Sequence, residues 1–100
     1  MKQKLVRDNI PAIITADGKK PITRIASAEE YTSLLQEKLV EEVTEFIESE
    51  EVEELADILE VIESICIQEG ISFDDVRKIQ KEKATSRGSF SEKIILEDIK

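Results

Sequence analysis

Five acids in one stretch of the chain, Glu41, Glu42, Glu45, Glu54 and Asp57, have the types and the spacing to hold a divalent cation. Glu42 and Glu45 are three residues apart, as are Glu54 and Asp57. On a helix that spacing puts both carboxylates of a pair on one side, with Cβ atoms about 5–6 Å apart. A hard cation could be gripped from both pairs in the oxygen-rich setting that Mg2+ or Mn2+ prefers. Glu54 carries the strongest signal. Ile58, Val61 and Ile65 follow it at spacings of four, seven and eleven, so it stands within the apolar stripe of a single helical face. A lone carboxylate there is costly to desolvate and requires either a proton or a positive partner. Glu42 lies at the edge of the stripe of Leu35, Leu39 and Phe46 and points toward the neighbouring helix. Glu48, Glu50, Glu51, Glu53 and Glu60 read as ordinary solvated helix surface. The acids do not form the D-x-D-x-D-G run of an EF-hand loop.

The elements that must position these acids are helices. Ser27 followed by Glu30 is a capping-box pattern, and Tyr31, Leu34, Leu35, Leu39, Val43 and Phe46 recur at helical intervals, which predicts a first long helix from about Ala28 to Glu48. A second begins within Ser49 to Val52 after a very short connection, returns antiparallel, and runs to about Glu69, where Gly70 supplies a left-handed stop. Ser72 with Asp75 opens a third, which Gly88 ends. Residues 1–27 carry Pro11, Pro21 and the turn-forming pair Asp17-Gly18, and read as an arm with one short helical turn capped by Asp8. The tail, 89–100, reads as a short extended segment or a helical turn, with Phe90 packed on the core. The expected fold is all-α: one domain over residues 1–100, an antiparallel bundle of three main helices within 28–88, flanked by the arm and the tail. Val52, Ala56, Leu59, Ile62 and Cys66 form one apolar edge of the second helix and Ile58, Val61 and Ile65 another. So short a chain covers one of these faces but not both, which favours oligomerisation around the central helices as a homodimer or a dimer of dimers.

Composition narrows the function. A formal charge of −9 argues against general affinity for nucleic acid or an anionic membrane, both of which need a basic surface. The charge is uneven: Lys4, Arg7, Lys19, Lys20 and Arg24 make the first quarter basic, the stretch from Glu41 to Glu63 is acidic, and Lys78, Lys81, Lys83 and Arg87 return to positive. Basic flanks around an acidic centre suit an anion bridged by metal. The longest apolar run, Ile10 to Ile14, is too short to cross a bilayer, and no pattern of a cleavable leader is visible, so a cytoplasmic protein is expected. Histidine is absent and Cys66 is the single cysteine. This excludes imidazole chemistry and an internal disulfide, and leaves Cys66 as a core residue.

The run K-L-V-E-E-V-T-E from Lys38 to Glu45, followed by E-L-A-D-I-L-E-V-I from Glu54 to Ile62, resembles the MazG-like all-α nucleoside triphosphate pyrophosphohydrolases, which include phosphoribosyl-ATP pyrophosphohydrolase. K-L-V-R-D-N-I-P from Lys4 to Pro11 is similar to the amino-terminal signature of a small single-domain branch, and K-x-x-x-R-G-x-F from Lys83 to Phe90 to its carboxy-terminal one, so the resemblance spans nearly the whole chain. It implies a helical fold that dimerises or tetramerises, and Mg2+-dependent cleavage between the α and β phosphates of a nucleotide. By motif position Glu42, Glu45, Glu54 and Asp57 would be metal ligands, with Glu41 supporting them or orienting the attacking water. Eight residues separate Glu45 from Glu54, fewer than the family pattern leads one to expect. Lys4, Arg7, Lys83 and Arg87 are the candidates to hold substrate phosphates, Arg as a fork and Lys as a point charge. The expected products are a nucleoside monophosphate and pyrophosphate, consistent with clearance of non-standard nucleotides. The competing expectation is a non-enzymatic acidic helical module that binds metal or a partner.

Overall fold

A computed structural model describes residues 3–100. Those residues form four α-helices and no strand: α1 Ile10–Ala16, α2 Ala28–Ser49, α3 Val52–Glu69 and α4 Phe73–Arg87. None of the helices is long and apolar enough to cross a membrane.

The start of α2 is fixed by its cap. The Ser27 hydroxyl accepts from the Glu30 backbone N–H at 3.2 Å, and the Glu30 carboxylate accepts from the Ser27 N–H at 3.2 Å, the reciprocal pairing of a capping box. Arg24 forks onto the same carboxylate at 2.8 and 2.6 Å. That hydrogen-bonded pair, with the Ser27 N–H adding to it, pulls the Glu30 carboxyl down to about 2.

At its other end α2 stops at Glu50, whose left-handed backbone (φ 57) lets its N–H return to the Phe46 carbonyl at 2.7 Å. Two residues, Glu50 and Glu51, therefore suffice to connect α2 to α3. α3 ends in a Schellman motif, with the Gly70 N–H on the Ile67 carbonyl at 3.2 Å and the Ile71 N–H on the Cys66 carbonyl at 2.8 Å.

The tight connection turns α2 and α3 into an antiparallel hairpin. At its open end the Gln68 amide donates to the Thr32 hydroxyl at 3.4 Å. Toward the closed end, carboxylates of α2 and α3 meet. Leu35, Val61 and Cys66 are buried between these levels, so Cys66 is a core residue as expected.

α4 packs on α3 and makes no contact with α2, so within one chain the three long helices are a hairpin with a third helix attached at its end. The sequence of α4 explains this. Beyond Phe73 and Val76, only Ile79 and Ala84 interrupt a polar run, too few to form a stripe that would hold it along the hairpin. The chain is correspondingly elongated, with a radius of gyration of 18.0 Å against the ~13 Å of a compact domain of this length.

Two local expectations are corrected. Asp8 does not cap α1: Asn9 occupies the N-cap position without a side-chain bond. Pro11 stands at the second helical position and has no N–H for a cap to accept. Phe90 does not pack on the core but is 98% exposed, because α4 carries the tail away from the hairpin's apolar surface. The tail itself has no regular secondary structure.

Candidate metal centre

The hairpin brings the two acidic motifs together. Carboxylate oxygens of Glu42 from α2 and of Glu54 and Asp57 from α3 lie within 4.8 Å of one another. The short spacing between the motifs fits this arrangement: it holds only the last turn of α2, the two-residue connection and the start of α3. Both motifs thus sit next to the reversal of direction and face one another.

Glu42 is buried at 7% exposure, the only buried charged residue among those described. Its Oε1 is 3.3 Å from Lys38 Nζ, one turn back on α2, while its Oε2 is sealed from solvent without a hydrogen-bond partner. Glu54 is half-buried as a residue, yet its Oε2 is equally sealed and unpartnered. Two orphaned carboxylate oxygens in one cluster are an energetic liability, since each has lost water and gained nothing in return.

Electrostatics express the same liability. Burial pushes the Glu54 carboxyl up to about 7, and the charge of Glu45 together with contacts to Glu42 and Glu45 adds to the push. Burial also raises Glu42, against the pull of the Lys38 ammonium and with help from Glu45. Glu45 thus acts on both buried acids from its half-buried position on α2, although it lies outside the group of three. A proton or a cation relieves such a cluster. The donor set is hard oxygen throughout, which suits Mg2+ or Mn2+ and not a soft, thiolate-preferring ion.

The remaining site candidates divide sharply. Arg7 reaches the cluster from the arm, with Nη2 2.6 Å from Asp57 Oδ1 and Nη1 4.0 Å from Glu60 Oε1. Glu41 stands beside it, its Oε1 3.6 Å from the Lys38 Nζ that also holds Glu42. Lys4, Lys83 and Arg87 are exposed, and among the described residues none forms an ion pair with these acids. For Lys83 and Arg87 the reason is the outward course of α4.

Two participants were not expected from the sequence. Lys38 is the ammonium that pairs with one oxygen of Glu42, and Glu60 offers Arg7 a second carboxylate. Lys38 carried a usable signal, since a lysine four residues before a glutamate shares its helical face. Glu60 carried none, because its partner Arg7 lies 53 residues away in the arm, beyond the reach of helical periodicity.

Comparison with known proteins adds one partial likeness. An uncharacterized protein of Mycolicibacterium smegmatis is 50% identical over 40 residues, which are 40% of this chain and 41% of that protein, so the match spans less than half of either. No family model matches the chain, and no solved structure matches it.

Proposed function

We propose that this chain is a metal-dependent nucleotide pyrophosphohydrolase that cleaves between the α and β phosphates of a nucleoside triphosphate, releasing a monophosphate and pyrophosphate. One observation carries the reading: Glu42, Glu54 and Asp57 converge inside a hairpin with two carboxylate oxygens buried and unpartnered. A solvated acidic surface does not arrange itself so, because each orphaned oxygen forfeits its hydration. A divalent cation bound there would neutralise phosphate oxygens and lower the pKa of a bound water.

The protein's own residues supply the rest. Glu42, Glu54 and Asp57 would hold the ion, with Glu45 as the further ligand the motif implies and Glu41 supporting them or orienting water, as the resemblance implies. Arg7, whose guanidinium pairs with Asp57, would receive a phosphate once that cation is present. The sequence contains no histidine, so proton transfer to and from water falls to carboxylates.

The assembly we propose is a homodimer or a dimer of dimers in the cytoplasm. Val40, Val43 and Ile47 on α2 and Val52, Leu55 and Leu59 on α3 recur at spacings of three and four and remain exposed in one chain. Covering these stripes with a second copy would complete the helical bundle.

The outward placement of Lys83 and Arg87 favours a second reading, a non-enzymatic module that binds metal or a partner through the same acids. Thermal melting separates a metal site from a solvated acidic face. Millimolar Mg2+ or Mn2+ should raise the melting temperature of the wild type by several degrees through linkage and leave Glu42→Gln with little shift. An unchanged wild-type melt would remove the metal from both readings.

A further inference from the structure

The arm touches the cluster at one point, and that point is a carboxylate the metal needs. Arg7 donates to Asp57 Oδ1 at 2.6 Å, and both side chains keep substantial contact with water, at 55% and 37% exposure. Glu60 lies one helical turn beyond Asp57 on α3, with its Oε1 4.0 Å from the other terminal nitrogen of the guanidinium. Arg7 is therefore held at the rim between two acids, one in the cluster and one outside it. Among the described residues α1, which begins three residues after Arg7, packs against none of the long helices, so no helix packing of α1 reinforces this ion pair.

Resting on the metal-site reading above, we infer that Arg7 is an exchangeable charge: it pairs with Asp57 until a divalent cation takes that carboxylate, and then turns to the phosphate chain of the nucleotide. Two effects of Arg7 on metal binding oppose one another. Its hydrogen bond orients Asp57, which helps a ligand. Its positive charge lies against the same carboxylate as a doubly charged ion and repels it. Repulsion wins, because a half-exposed ion pair contributes little orientation while a double charge on a shared carboxylate is screened less than a pair in open water. A nucleotide reverses the sign. Its phosphates add negative charge beside the metal, and the Arg7 fork matches phosphate geometry. Glu60 is the carboxylate on which the guanidinium can rest between the two, one turn along the same helix.

Arg7 is thus a positioning residue for metal loading and a direct contact for the anion. A merely structural role moves both affinities the same way, whereas an exchangeable charge moves them in opposite directions. The test is calorimetry on the full chain with Mn2+ alone, and then with a non-hydrolysable nucleoside triphosphate analogue at saturating Mn2+, for wild type, Arg7→Gln and Arg7→Lys. Arg7→Gln should bind Mn2+ about three- to tenfold more tightly and the analogue about tenfold or more weakly. Arg7→Lys should restore the wild-type Mn2+ affinity and only part of the analogue affinity, because charge is kept and the fork is lost. Mn2+ affinity that is unchanged or weaker in Arg7→Gln, with wild type binding Mn2+ normally, overturns the exchange and leaves the metal site standing. Absence of Mn2+ binding by the wild type overturns both.

Discussion

Glu42 and Glu54 meet across the α2–α3 hairpin with one oxygen each, Oε2 in both cases, buried and without a hydrogen-bond partner. Burial raises the proton affinity of both, Glu42 adds to the rise at Glu54, and Glu45 adds to it at both. The same contact therefore destabilises the folded chain, and under the proposed function a cation would relieve it.

The sign of the pH dependence follows. Glu54 titrates near its usual 4.5 when unfolded and at about 7 when folded. Its contribution to stability is fully present below about 4.5 and is lost as the pH rises through about 7. Without added metal the melting temperature should fall between pH 5 and pH 8, and Glu54→Gln should flatten that fall and melt higher than wild type at pH 8. Saturating Mg2+ should reverse the wild-type trend, because the ion competes with the proton for the same oxygens. A melting temperature independent of pH in wild type would show that the carboxyl is not perturbed.

The two-residue connection sets the register that brings the motifs face to face, and it does so with a strained residue. Glu50 has a φ of 57, a left-handed backbone that a Cβ disfavours. Glu50→Gly should stabilise the chain by about 0.5–1 kcal/mol without changing metal affinity, as read from chemical denaturation and Mn2+ titration. A loss of stability would mean that Glu50 makes a contact worth more than its strain.

The exposed apolar stripes predict an assembly. Leu55 and Leu59 are each about half exposed in one chain, and burying the remainder of such side chains stabilises an interface by about 1 kcal/mol apiece. Leu55→Lys combined with Leu59→Lys should convert the oligomer to a monomer in light scattering while far-ultraviolet circular dichroism stays helical. Equal masses for wild type and variant would place the interface elsewhere.

What could be read from the sequence was local. The capping pair Ser27 and Glu30, the Gly70 stop and the stripes of α2 and α3 are short-range patterns, and they place the long helices to within a residue or two. The convergence of Glu42, Glu54 and Asp57 was also legible, because a tight connection leaves antiparallel helices few ways to face. The course of α4 and the tail was not. Phe73 and Val76 seat the start of α4, but no apolar period continues beyond them to say where it lies, so Phe90 had no partner that spacing could reveal. Contacts across fifty residues, such as Arg7 with Asp57, follow from the path of the arm, which obeys no helical period.

The central claim is the bond that breaks. A panel of nucleoside triphosphates incubated with Mg2+, with pyrophosphate and orthophosphate measured separately, tests it most directly. Wild type should release pyrophosphate and nucleoside monophosphate in equal amounts from at least one nucleotide, only with metal present, and Glu54→Ala should release neither while remaining folded. Orthophosphate as the sole phosphorus product, no release from any nucleotide, or wild-type turnover in Glu54→Ala would contradict the account.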